Sequence, residues 1–162
     1  MTRFRADRPP DGPYEEVGRW HLVGLGDLRS LRLGLRTQLV TTARDQDSVA
    51  DGLPDRLLLV ANELASNALR HGSGDAVVVL ARGSEGWLVD VSDLAVHAEP
   101  VPAVDRTPGL GGYGLHLVAE LAADSGWYRD GSRKHVWSRL ADPPPDAPPP
   151  QASLREAPPS RA

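Results

Sequence analysis

The segment from Asp55 to His71 constrains this chain more than any other. Leu57, Leu58, Val60, Ala61, Leu64, Ala65, Ala68 and Leu69 spread apolar side chains over most of a helix circumference, so the predicted helix needs cover on several sides. Glu63, Asn67 and His71 break that apolar surface, each four residues after the last, and such steps keep all three on one face. Gly52 and Pro54 precede the segment and Gly72 follows it in the usual C-terminal glycine position, the punctuation of a helix start and stop. After the turn Gly72-Ser73-Gly74-Asp75 comes the run Ala76 to Ala81 (AVVVLA), with the β-branched composition of a buried strand.

The flanking sequence extends this helix–strand unit. Trp20 and Leu22 alternate within a predicted short strand over 18–24. Leu28, Leu31, Leu35 and Leu39 recur at helical spacing over 28–42, opposite Arg29, Arg32 and Arg36. That arginine stripe reads as a solvated face, or as a docking surface for an acidic partner. Residues 82–86 predict a turn, and the alternation over 87–92 a hairpin partner strand. A Pro- and Gly-rich segment over 94–113 is long for a loop in a compact domain, a length usually tied to function or mobility. A helix over 114–123 and a closing hairpin, 126–129 with 134–140, complete the order strand, helix, helix, two strands, loop, helix, two strands. That order predicts an α+β fold: a two-layer α/β sandwich with helices on one face of a mixed, mostly antiparallel sheet. Trp20, Trp87, Trp127 and Trp137 fall in predicted strands and read as core or rim anchors.

The two ends differ from this middle. Of 15 prolines, eight lie after Asp142 in runs such as Pro143-Pro144-Pro145. Such a stretch cannot repay the entropy of ordering, so 141–162 is expected to be a disordered tail. Residues 1–16, with Pro9, Pro10 and Pro13 among charges, are expected to form a similar arm, leaving 17–140 as the folded domain. A domain of that size buries about two thirds of its chain surface, enough for a core without staples. The chain has no cysteine, which removes disulfides, thiolate metal sites and thiol catalysis. Its five histidines lack metal-ligand spacing. A net charge of −4 argues against a nucleic-acid-binding face, and no apolar run approaches the roughly 18 residues of a membrane span. With no signal-peptide pattern either, the expected compartment is the cytoplasm.

Three elements carry candidate chemistry. The polar line Glu63, Asn67, His71 needs either water or a ligand beside it; alone it is also what a solvent stripe looks like. The run Gly109-Leu110-Gly111-Gly112-Tyr113-Gly114 leads straight into the helix beginning Leu115-His116. Backbone N–H groups without an obstructing Cβ, at a positively polarised helix start, suit a phosphate chain, although glycine runs also form ordinary loops. Asp93 ends its strand, where a carboxylate can accept from a base amino group or simply sit in a turn.

Taken together, Glu63-Leu64-Ala65-Ser66-Asn67-Ala68-Leu69-Arg70-His71-Gly72, then Val91-Ser92-Asp93, then Gly111-Gly112-Tyr113-Gly114-Leu115-His116-Leu117-Val118 resemble the histidine-kinase-like ATPase superfamily. Within it the chain looks most like the small anti-sigma-factor serine/threonine kinases, over about Trp20 to Leu140 and including the ending Lys134-His135-Val136-Trp137. The resemblance implies ATP held between helices and sheet under a lid formed by 94–110. It implies that Asn67 coordinates Mg²⁺, that Glu63 is the general base on a protein hydroxyl, and that Asp93 reads adenine. Gly109, Gly111, Gly112, Tyr113, Gly114 and Leu115 would line the phosphate side, and His71 would be a structural cap. It further implies a homodimer, an anti-anti-sigma protein as substrate and a sigma factor as partner. Three positions depart from the family pattern: Ala95 where glycine is common, Tyr113 where arginine is common, and His135 in place of threonine. All three bear on affinity or turnover. A binding module that switches partners without transferring phosphate is the competing reading, and Glu63, a base that a pure binder does not need, separates the two.

Overall fold

The computed structural model describes residues 6–45, 52–100 and 113–142. Its elements run β1 (Glu15–Leu22), a short 3-10 turn (Leu25–Asp27), α1 (Leu28–Asp45), α2 (Leu53–His71), β2 (Ala76–Gly83), β3 (Gly86–Asp93), α3 (Tyr113–Leu121), β4 (Asp124–Asp130) and β5 (Arg133–Leu140). The strands form one sheet in the order β1-β2-β3-β5-β4. Every pairing in it is antiparallel, where a mixed sheet was expected. The pairs β2–β3 and β4–β5 are hairpins, while β1–β2 and β3–β5 join strands distant in sequence. The α+β class, five antiparallel strands and three helices, is compatible with a two-layer sandwich.

The helices share one face of the sheet because their apolar positions and those of alternate strand residues belong to one core. Leu31, Leu35 and Leu39 of α1, Leu57, Val60, Ala61 and Leu64 of α2, and Leu115 and Val118 of α3 pack with Val78, Leu80, Val89, Val91 and Val136. The arginines Arg29, Arg32 and Arg36 stay exposed. Helix α2 is the central one, with eight buried residues, as its apolar circumference requires.

The other sheet face is also covered in part. Strand β3 is buried along its whole length, so Leu88, Asp90 and Ser92 are shielded on the side away from the helices. There Ala81, Leu88 and Trp137 form a small apolar cluster with Tyr14, Val79 and Tyr128 against it. Residues expected to be an unstructured arm supply part of this cover. The Arg8 N–H donates to the Trp127 carbonyl at 3.1 Å, and the Trp137 indole N–H donates to the Arg8 carbonyl at 2.8 Å. Strand β1 itself starts at Glu15, inside the expected arm. The arm is held by the Arg8 backbone on the Trp127 carbonyl and the Trp137 indole, by Asp7 on Arg129 and by the Tyr14 ring, contacts that need no periodic apolar pattern. Of the expected tail, 141–162, residues 143–162 lie outside the described residues.

Among the described residues no helix is long and apolar enough to cross a membrane.

Candidate functional site

Helix α2 presents Glu63 and Asn67 half-buried and His71 exposed. Glu63 faces the start of α3. A methyl group on Gly114 would collide with the Glu63 carboxylate, with Cδ only 3.1 Å away. The acid therefore lies against the first turn of α3, where unpaired N–H groups and the helix dipole favour negative charge. Glycine at 114 is what permits the approach. Two of the three sequence elements, about fifty residues apart, thus meet at one place. Unpaired N–H donors at such a helix start also suit a phosphate oxygen.

Asp93 lies at the C-terminal end of α2, against Gly72, buried to 1% exposure. Its Oδ1 accepts the Ala95 N–H at 2.8 Å, and its Oδ2 is 3.3 Å from the Lys134 Nζ. The contact with α2 is made at Gly72. Gly72 follows the last residue of α2, as its place in the sequence predicts, with φ −75° and ψ 166°, extended backbone open to any residue. What glycine supplies is room. A Cβ there would press on the Ala68 carbonyl and lie 2.7 Å from both Cβ and Cγ of Asp93. The end of α2 is seated directly on the carboxylate, which fixes Asp93 relative to the helix carrying Glu63 and Asn67.

Lys134 was not singled out as a site residue in the sequence. It faces the helices because it is directly opposite Asp93 in the β3–β5 register, and side chains of opposed residues share a face. Strand alternation sends His135 to the other face, where its Nδ1 is 2.7 Å from the Asp90 carboxylate and its ring stacks on Tyr128 at 4.6 Å. The departure at His135 therefore does not touch the surroundings of Asp93. Burial, and then the Asp90 charge, push the Tyr128 phenol well above its ordinary value. Nearby on the same face, Asp75 is held below the usual carboxylate range, chiefly by its hydrogen bond to His21 and further by Arg133.

The remaining expected residues divide. Gly109, Gly111 and Gly112 lie outside the described residues, as does most of the expected lid. Tyr113 opens α3. The Leu115 side chain is in the core at 3% exposure, so a role toward a ligand there falls to its backbone N–H. His71 is exposed at the end of α2.

The amide oxygen of Asn67, one turn along α2 from Glu63, suits a magnesium ion that takes most of its ligands from phosphates and water. The acceptor of Asp93 fits a base amino group. Among the described residues no group of three or more His, Asp or Glu side chains could by itself hold a metal, so an ion here would depend on a phosphate ligand. Neither a protein-family model nor a curated protein sequence matches the chain.

Proposed function

We propose that the chain is an ATP-binding regulatory serine/threonine protein kinase of the anti-sigma-factor type, which phosphorylates an anti-anti-sigma partner and thereby controls sigma-factor availability. The observation that carries this reading is the meeting of Glu63 with the glycine start of α3 at Gly114. A pure binding surface needs no carboxylate at a helix N-terminus suited to phosphate, whereas phosphoryl transfer needs an acceptor for the hydroxyl proton beside the phosphate site.

In this reading Asp93 accepts from the adenine amino group, Asn67 offers its amide oxygen to Mg²⁺, and the backbone around Gly114 cradles phosphate oxygens. Mg²⁺ would neutralise phosphate charge as the γ-phosphoryl group is transferred. Glu63 orients the partner's serine or threonine hydroxyl and takes up its proton. The half-buried setting of Glu63 limits competing water. Two added negative charges on the partner then weaken its hold on this surface.

A second reading, a partner-binding switch without transfer, draws on the engagement of both Asp93 oxygens by Lys134 and Ala95. Incubation with labelled ATP, Mg²⁺ and candidate partner proteins separates the two. Transfer by the wild type that is lost in Glu63→Ala and Asn67→Ala supports the kinase. Tight ATP binding with no transfer supports the switch, and absence of nucleotide binding removes both.

A further inference from the structure

We propose that Lys134 reads the nucleotide base alongside Asp93, as a donor set beside an acceptor. The inference rests on the nucleotide-binding reading above and adds a residue and a specificity to it.

Lys134 is badly placed for stability alone. It is 3% exposed in a row of β5 whose next member on the same face, Val136, belongs to the apolar core. Burying an ammonium is costly unless it is paired, and a hydrophobic side chain of similar length usually serves packing at least as well. Arg129 of β4 stands directly opposite it in register, and like charges in that relation are unfavourable. The guanidinium of Arg129 is drawn off to the Val96 carbonyl and Asp7, so it does not serve Lys134. What Lys134 does have is Asp93, with Nζ 3.3 Å from Oδ2. The carboxylate is held in orientation by the Ala95 N–H on Oδ1. An ammonium carries three N–H donors, more than one carboxylate oxygen takes up.

An acceptor and a donor side by side match the Watson–Crick edge of adenine. Its N6–H donates to Asp93 and its ring N1 accepts from Lys134. Asp93 alone reads only the first of these atoms. In a 6-oxopurine the polarity at both positions is reversed: O6 faces the carboxylate, and N1–H faces the ammonium. Lys134 thus adds a second unfavourable contact against the wrong base. Both side chains are shielded from water here, at 4% and 2% exposure, so a base reaches them by taking the place of the atoms that cover them. Hydrogen bonds to charged groups are strongest in such a setting.

The test compares ATP, 1-deaza-ATP and ITP, each with Mg²⁺, by calorimetric titration of the full chain. In 1-deaza-ATP a C–H replaces ring N1. The wild type is expected to bind it about tenfold to a hundredfold more weakly than ATP, the range for a hydrogen bond to a charged group, and ITP more weakly still. Lys134→Met should bring ATP and 1-deaza-ATP to the same affinity. Should that variant not fold, the nucleotide pair on wild-type protein decides by itself. Equal binding of ATP and 1-deaza-ATP by the wild type overturns the role of Lys134 and leaves the nucleotide site standing. No binding of ATP at all removes the site and this inference with it.

Discussion

Replacing Gly72 by alanine turns a question about the site into one about sign. Gly72 sits at φ −75° and ψ 166°, which alanine adopts without strain. If conformation were all that mattered, the alanine variant would be more stable by about 0.4–1 kcal/mol, because its unfolded chain has less freedom to lose. The structure predicts the opposite. The new methyl would meet the Ala68 carbonyl and come within 2.7 Å of two Asp93 carbons, and the nearer of these obstacles is backbone. Overpacking of this kind costs about 1–3 kcal/mol, and less the conformational gain the net loss is about 1–2 kcal/mol. For a domain of this size that lowers Tm by roughly 3–10 °C. Urea unfolding followed by fluorescence of the four tryptophans measures it. A variant as stable as the wild type, or more so, would refute the claim that α2 is seated on Asp93.

Gly114→Ala pushes on the end of a flexible side chain, so it should leave the urea midpoint nearly unchanged while displacing Glu63; the expected result is loss of phosphoryl transfer with ATP binding largely kept, read by paired transfer and titration assays. Asp93→Ala leaves a buried ammonium without its carboxylate and should cost about 3–5 kcal/mol, most of it recovered in Asp93→Ala/Lys134→Met, as a double-mutant cycle in urea would show. The Tyr128 phenol is raised above its ordinary value of 10.0, so the unfolded state loses that proton first as pH rises. Its contribution is complete below pH 10 and declines above it, and Tyr128→Phe should flatten the alkaline fall of the urea midpoint. Asp75 works in the other direction. Its carboxyl lies below the ordinary 3.8, so its contribution holds above that pH and is lost as pH falls further, an acid slope that Asp75→Asn should reduce.

Much of this architecture is legible in residue spacing. The apolar circumference of α2 announces a helix enclosed on several sides, and the Leu31, Leu35, Leu39 row announces the inner face of α1. Strand boundaries are less legible: β1 begins three residues before the predicted 18, and β2 and β3 run to Gly83 and from Gly86, because hairpin pairing carries strands past the point where their apolar pattern stops. The polar line of α2 marks Glu63 and Asn67, but its companion at Gly114 is seen only once two helices are packed. Lys134 was hidden for a different reason. A lone lysine in a strand is ordinarily solvent-facing, and only the β3–β5 register places it against Asp93. Gly72 is legible as the helix end, but the reason glycine is needed there, room beside Asp93, appears only once α2 is packed on β3.

The stretch around Arg8 has a practical corollary. By capping the Trp137 indole and pairing with the Trp127 backbone, a few residues ahead of the first strand act as a shutter over the underside of the sheet. Trimming the chain to begin at Glu15 would strip that shutter and bare a tryptophan and a leucine to solvent. Such a shortened protein should be stickier in concentrated solution, while the helical side, where Glu63 and Asp93 reside, would keep its own packing.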